Sequence, residues 1–458
     1  MTKTAAVILA AGKGKRMHSR RPKVLHLLAG KPLVRYVVDA AQKAGVSQVV
    51  LVIGHGGEEV KAALGEGFDY AWQREQLGTG HAVMQAMDAL APDVEQVVVL
   101  SGDVPLLTGT TIQALLDEFV KTAAKGAVLT ACLADPTGYG RIIRHDGNLV
   151  ERIVEHGDAS PEELAIQEIN SGIYCFDRAV LAECLQFLKP DNVQGEYYLT
   201  DVVQVMRSRD LPVVAYRVQD SREIMGINNR VQLAEAESIM RQQINTRLML
   251  AGVTMLDPVT TYIEAGVEVG PDTVIHPFTI LRGKTRIGRG CTIGPQVNML
   301  DTVVGDEVEI RYTVTEEAQI GDQAKIGPFA YLRPGTVLGR GVKVGDFVEI
   351  KKSMIDEGSK VPHLTYIGDA VIGKSVNVGA GTITCNYDGK AKHQTVIEDG
   401  AFIGSNSNLV APIKIGANAY VAAGSTLTAD VPAESLAVAR ERQRNIPDWH
   451  NKRRAGQD

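Results

Sequence analysis

The chain has 458 residues, room for two or three domains at about 150 residues each, and each could bury its own core. Hydrophobic residues make up 45% and charged residues 22%, which excludes a mainly disordered or fibrous chain. A net charge of -6 gives no chain-wide positive field, which excludes general nucleic-acid binding.

The first apolar run, Ala5 to Leu9, continues through Ala10-Ala11 into the basic glycine loop Gly12-Lys13-Gly14-Lys15-Arg16. A signal peptide would need small neutral residues there, so the run is expected to be a strand. Further short aliphatic runs follow at Val49 to Ile53, Val97 to Leu100, Val128 to Cys132 and Val213 to Tyr216, with amphipathic segments between them. Strands alternating with helices predict a mostly parallel sheet covered on both faces, an α/β domain over residues 1–229. From Arg230 to Leu250 there is no Gly or Pro, and Leu233, Ala236, Met240, Ile244 and Leu248 recur at helical spacing. This predicts a linker helix about 31 Å long. No stretch reaches the ~18 apolar residues of a membrane span. Cys132, Cys175, Cys184, Cys291 and Cys385 are odd in number and hold no Cys-x-x-Cys pair. A reducing, cytoplasmic setting is expected.

Residues 251–458 carry an internal repeat of period six. Val269, Ile275, Leu281, Ile287, Ile293 and Met299 stand at strict six-residue steps, and the register returns at Ile320 to Ile350 and again at Ile397 to Leu427. One unit is a short strand plus a turn, with the aliphatic residue inward; the Gly that often follows it (Gly270, Gly288, Gly294) is read as permitting the corner. Three units close a coil, and coils stack about 4.8 Å apart into a parallel β-helix. The register breaks near residues 300–319, 351–367 and 384–396, where loops are expected to leave the solenoid and carry function.

Two features in the first half bear on chemistry. Gly12-Lys13-Gly14-Lys15-Arg16-Met17 with Pro22-Lys23 offers backbone N–H groups and cations to a triphosphate, although the same residues could form a plain turn. It is neither a Walker A loop nor a dinucleotide fingerprint. Asp103, just past the strand Val97 to Leu100, is a hard oxygen ligand for Mg²⁺ on the rim where α/β sheets bind ligands; a turn or helix cap is the other reading.

Leu9-Ala10-Ala11-Gly12-x-Gly14-x-Arg16-Met17, Gln76-Leu77-Gly78-Thr79-Gly80-His81-Ala82, Gly102-Asp103 and Gly138-Tyr139-Gly140-Arg141 resemble the sugar-nucleotidyltransferase family. With the hexapeptide half attached, the whole chain from Lys3 to about Trp449 resembles the bifunctional bacterial N-acetylglucosamine-1-phosphate uridyltransferases/glucosamine-1-phosphate N-acetyltransferases. The resemblance implies a Rossmann-like nucleotidyltransferase domain and a left-handed parallel β-helix. It assigns Arg16 and Lys23 to the triphosphate, Leu9, Gly12, Gln73, Gly78 and Thr79 to the uracil nucleotide, and Gly140, Glu155 and Asn170 to N-acetylglucosamine. Asp103 and Asn228 would hold Mg²⁺, with Asn228 also at the nucleotide. Ser101 departs from the Tyr that some members carry before Gly-Asp. The implied reaction is attack of a sugar 1-phosphate oxygen on the α-phosphorus of UTP. The nucleophile is already an anion, so no acid–base dyad is needed.

In the second half, His363 falls at a register break, where an imidazole could accept a proton from an amine attacking a thioester; a structural His is the competing reading. The half has no close His pair, so zinc is not expected. The resemblance makes His363 the base, gives Arg333, Lys351, Tyr366 and Asn377 to glucosamine 1-phosphate, and gives Ala380, Asn386, Tyr387, Ser405, Ala423 and Arg440 to acetyl-CoA. Asp346 stands where many relatives are expected to have Asn, and the tail Lys452-Arg453-Arg454 reads as a solvated terminus. The expected enzyme acetylates first and uridylylates second, making UDP-N-acetylglucosamine for cell-wall polymers. A homotrimer with sites between subunits is implied. The rival readings are a transferase for another sugar with the solenoid as scaffold, and an assembly protein with dead sites.

Overall fold

A computed structural model describes residues 3–145 and 147–454. They divide into two compact units, Met1–Met240 and Arg241–Asp458.

The first unit is built on strands β1 (Thr4–Ala10), β2 (Gln48–Ile53), β3 (Asp69–Trp72), β4 (Gln96–Ser101), β5 (Gly126–Cys132), β6 (Arg141–Arg144), β7 (Val150–Val154), β8 (Glu168–Asp177) and β9 (Val213–Arg217). The sheet order is β9-β5-β8-β4-β1-β2-β3, and β6 joins β8 to β7. All neighbours on the main path are parallel except β8, which is antiparallel to β4 and β5. The central strands are apolar on both faces because both are covered. Ala6, Ile8, Leu51 and Ile53 face one core with helices Leu33–Lys43 and Gly109–Lys121. Ala5, Val7, Val50 and Val52 face the other with helices Thr79–Met87, Arg178–Leu185 and Asp201–Arg207. Because β1 lies between β2 and β4, the chain leaves it between diverging connections, and a crevice opens at its carboxyl end.

Arg230–Leu250 forms one α-helix of 21 residues. The division between units falls inside it. Glu237 accepts the Ala29 N–H at 2.8 Å in the first unit, and the Asn245 amide donates to Pro258 O at 2.9 Å and Thr261 O at 3.1 Å in the second.

Among the described residues the second unit is a parallel β-helix of three sheets with 11, 10 and 9 strands, each strand pairing with the third strand after it until the last pair, Tyr420–Val421 with Leu436–Ala437, where only one strand intervenes. The aliphatic columns are buried as read: Ile275, Leu281, Ile293 and Met299 are all sealed from solvent. Two expectations are corrected. The breaks at 300–319 and 351–367 extrude no loop; Val304 follows Met299, Thr315 follows Ile310, Ile320 follows Thr315 and Ile355 follows Ile350 by five residues instead of six, so each of these corners is tightened and the next side chain still reaches its column. Thr315 also fills a column position, its hydroxyl 2.9 Å from that of Thr302, which hid the repeat from an aliphatic count. Only the third break is a true loop: Thr384 and Ile397 are adjacent column residues thirteen positions apart. The glycine reading also changes. Gly270 does not have a left-handed backbone; a Cβ there would lie 2.7 Å from the carbonyl carbon of Gly288 on the next coil. Gly270 and Gly288 permit close stacking of coils, whereas Gly294, with φ 104°, does permit a corner as read.

Candidate active sites

The crevice beyond β1 is a cavity of about 500 Å³ lined by Leu9, Gly12, Lys23, Gln73, Gly78, Thr79 and Asp103. Lys13, Lys15, Ser101 and Glu196 also line it; Glu196 carries no sequence signal. Gly14 is left-handed (φ 57°), and a Cβ there would lie 2.7 Å from the Lys23 Cβ, so glycine is what lets the basic loop close on Lys23. Gly78 (φ 110°) begins the helix Thr79–Met87, where Thr79 Oγ1 accepts from the Leu199 N–H at 3.0 Å.

At one end of the cavity four polar groups meet. The Lys23 ammonium is ion-paired with Asp103 and donates to Asn228 Oδ1 at 3.1 Å; Arg16 Nη2 donates to the same oxygen at 2.9 Å. Ile227 N–H binds Asp103 O at 2.9 Å and fixes the two segments together. A carboxylate and an amide oxygen therefore converge on one cation. That is the donor chemistry of a hard divalent ion which takes its other ligands from phosphate and water. Among the described residues there is no cluster of three or more His, Cys, Asp or Glu that could hold a metal ion.

A second group lies along β6 to β8. Asn170 N–H binds Gly140 O at 2.9 Å, and a Cβ on Gly140 would meet Glu155 Oε2 at 3.4 Å. Asn170 is buried, with its amide donating to the Tyr174 hydroxyl at 2.7 Å. Burial pushes the Glu155 carboxyl above the ordinary range. Strand β8 escaped the sequence reading because Asn170-Ser171-Gly172 interrupts its apolar run, and its register shifts there.

In the β-helix, His363 ends strand Lys360–His363 and pairs in register with Asp346; its Nδ1 is 2.6 Å from Asp346 Oδ1. It is not on an extruded loop. It occupies a corner, immediately before the left-handed residue Leu364. Equivalent corners on the following coils are Ala380-Gly381, Ser405-Asn406 and Ala423-Gly424, linked by Gly381 N–H to His363 O, Asn406 N–H to Ala380 O and Gly424 N–H to Ser405 O. Equivalent corners on preceding coils end in Tyr312, Phe329 and Phe347, and the last two rings stack at 5.5 Å. Phe329, Phe347 and Leu364 are 54%, 58% and 60% exposed. His363 thus stands where a column of exposed apolar side chains gives way to a column of small ones.

On the sheet that holds Tyr366, Arg333 follows strand Tyr331–Leu332 and donates to Glu349 Oε1 at 2.7 Å. Lys392 and Arg333 hold the Lys351 ammonium below the ordinary lysine range, so three cations crowd one place. Lys392 was missed because it belongs to the true loop, where position in the repeat says nothing. That loop is bridged by Tyr387 and Lys392, and Asn386 donates to Asp369 Oδ2 at 2.6 Å. Asp388 is held well below the ordinary carboxylate range by the Ala391 N–H, His393 and the Lys390 N–H. Tyr366 lies between Glu349 and Ile383 in its sheet, Asn377 between Lys360 and Phe402. Tyr387 turns its hydroxyl to Gly389 O, and Arg440 reaches the Gly424 corner.

A nucleotide-sized crevice on an α/β sheet, joined in one chain to a β-helix bearing an Asp–His pair, defines a two-site transferase. Residues 6–194 match the MobA-like NTP transferase domain, 266–300 and 394–429 the bacterial transferase hexapeptide repeat, and 313–388 the GMPPB C-terminal domain. The chain is 56% identical to the bifunctional protein GlmU of Heliobacterium modesticaldum, over 97% of each chain. It is 53% identical to that of Brevibacillus brevis (99% of this chain, 98% of the relative) and 52% to that of a Geobacillus strain (98% of each). The chain belongs to the GlmU family. It is a bifunctional uridyltransferase and acetyltransferase of UDP-N-acetylglucosamine synthesis.

Proposed function

We propose that the two sites act in order on one sugar phosphate, with the residues placed above in specific roles. In the β-helix, Arg333, Lys351 and Lys392 take the phosphate of glucosamine 1-phosphate, and Tyr366 and Asn377 hold its sugar. Asp346 accepts the Nδ1–H of His363, which leaves Nε2 as the free base. The substrate amine attacks the thioester carbonyl; as the N–C bond forms, His363 takes the amine proton. The C–S bond breaks, and the thiolate leaves with that proton as free coenzyme A. The small corners Ala380, Ser405 and Ala423 leave room for the extended acetyl-CoA, with Asn386, Tyr387 and Arg440 at its flank.

In the sheet unit, Gly140, Glu155 and Asn170 hold N-acetylglucosamine 1-phosphate, while Gln73, Gly78 and Thr79 hold the base of UTP. A phosphate oxygen of the sugar 1-phosphate attacks the α-phosphorus of UTP, the bond from that phosphorus to the α,β-bridging oxygen breaks, and pyrophosphate leaves. Arg16 and Lys23 neutralise the charge. Asp103 and Asn228 would hold Mg²⁺, which supplies further neutralisation when bound.

The exposed apolar column ending at Leu364 supports a homotrimer in which another copy covers this corner and completes the acetyl site. Both co-substrates are cytoplasmic metabolites, which supports a cytoplasmic enzyme, and among the described residues no helix is long and apolar enough to cross a membrane. The observation that carries the reading is the Asp346–His363 pair at the head of the small-residue corners. The experiment is to give purified protein glucosamine 1-phosphate, acetyl-CoA, UTP and Mg²⁺, and to follow thiol and pyrophosphate separately.

A further inference from the structure

Gln73 lines the nucleotide cavity, yet is only 4% exposed. Its amide nitrogen lies 2.9 Å from the carbonyl oxygen of Gly78. A carbonyl can only accept, so the atom facing it is the NH₂ whichever way an amide is first drawn. The same nitrogen lies 3.2 Å from His81 Nδ1. Its second proton therefore meets a ring nitrogen that must be a bare acceptor. The neutral ring then carries its proton on Nε2, 3.3 Å from the Gln85 amide nitrogen; two N–H groups cannot face each other, so the exposed Gln85 amide turns to present its oxygen, a freedom that Gln73, held by Gly78 O, lacks. Gln73 Oε1 is the group left over, and no described residue donates to it.

We propose that His81 is a positioning residue that locks the Gln73 amide with its oxygen toward the base, and that this lock makes the site select uracil over cytosine. Uracil in a nucleotide has one ring N–H, at N3, and an outward oxygen is the partner it needs. Cytosine has a bare N3, which would meet that oxygen lone pair to lone pair. An amide free to turn would present its NH₂ to cytosine as readily as its oxygen to uracil; discrimination therefore depends on what holds the amide from behind. His81 sits in the first turn of the helix that Gly78 starts, and Gly80 N–H binds Tyr197 O at 2.8 Å, so the acceptors at Gly78 and His81 are held by one element. The inference rests on the proposed role of Gln73 at the base.

The test compares kcat/KM for UTP and CTP by pyrophosphate release, using the full chain and N-acetylglucosamine 1-phosphate, with thiol release as a control for folding. His81→Leu removes the acceptor and should lower the UTP:CTP ratio about tenfold, the worth of one hydrogen bond. His81→Asn can present an oxygen and should keep the ratio within about threefold of the parent. An unchanged ratio in His81→Leu, with the ratio collapsed in Gln73→Leu, would overturn the role of His81 and leave that of Gln73 intact. Unaltered UTP use in Gln73→Leu would remove the underlying reading. Should His81→Leu not fold, ¹⁵N NMR of the parent protein decides: the Nε2–H tautomer at His81 is expected, and the Nδ1–H tautomer contradicts the lock.

Discussion

Asp346 Oδ1 lies 2.6 Å from His363 Nδ1, the two residues being directly paired on neighbouring strands of the β-helix. The hydrogen bond holds the Asp346 carboxyl below the ordinary range, so the carboxylate is charged throughout the neutral region. It fixes both the tautomer and the direction of the ring. Asp346→Ala should lower kcat for acetyl transfer about 10–100-fold with little change in KM, and Asp346→Asn, which keeps an acceptor, should lose less. Steady-state thiol release checks this; equal losses in both variants would mean that charge, not ring orientation, is what Asp346 supplies.

Asp103 and Asn228 share the Lys23 ammonium at the mouth of the nucleotide cavity. Asp103→Ala, or chelation of divalent ions, is expected to abolish pyrophosphate release and leave thiol release near normal, because only phosphoryl chemistry needs that charge. Parallel assays of both products decide it. Loss of both activities in a folded Asp103→Ala protein would contradict the assignment.

The apolar corner column beside His363 predicts a concentration dependence confined to one activity. On dilution through the dissociation range followed by sedimentation, specific thiol release should fall while specific pyrophosphate release stays constant. Constant thiol release from monomers would show that the acetyl site is complete in one chain.

Coil stacking gives a prediction about stability. A Cβ on Gly321 would lie 2.7 Å from the carbonyl carbon of Gly339 and 2.9 Å from Arg340 N, both backbone atoms that cannot step aside. Gly321→Ala should destabilise the β-helix by about 1–3 kcal/mol. Gly157, with nothing within 4 Å of such a Cβ, should accept Ala with little change. Thermal unfolding of the two variants provides the comparison.

The two architectures were legible from different signals. Strands β1, β2, β4, β5 and β9 are apolar on both faces and stand out as runs, and the Val269-to-Met299 column is visible because each inward position repeats an aliphatic residue. Strand β8 was not legible, because Asn170, Ser171 and Gly172 break its apolar pattern where its register shifts. In the β-helix a spacing of five, as from Ile350 to Ile355, looks like an insertion when it is a deletion, so a loop is expected around His363 where the step from Val361 to Ile367 is an ordinary six-residue corner. The site residues on the basic glycine loop and at Asp103 could be read from local chemistry. Partners brought together by folding could not: His81 behind Gln73 lies eight positions away with no pattern joining them, and Asp346 meets His363 only because one coil of the helix spans seventeen residues there.

The most direct measurement is the product profile of His363→Ala with each sugar phosphate in turn. With glucosamine 1-phosphate, acetyl-CoA, UTP and Mg²⁺, thiol release should fall about 10²–10⁴-fold and pyrophosphate release should fall with it. With N-acetylglucosamine 1-phosphate in its place, pyrophosphate release should return to the rate of the unaltered chain. Pyrophosphate released at that rate from glucosamine 1-phosphate, or lost with both sugars, would contradict two sites acting in order.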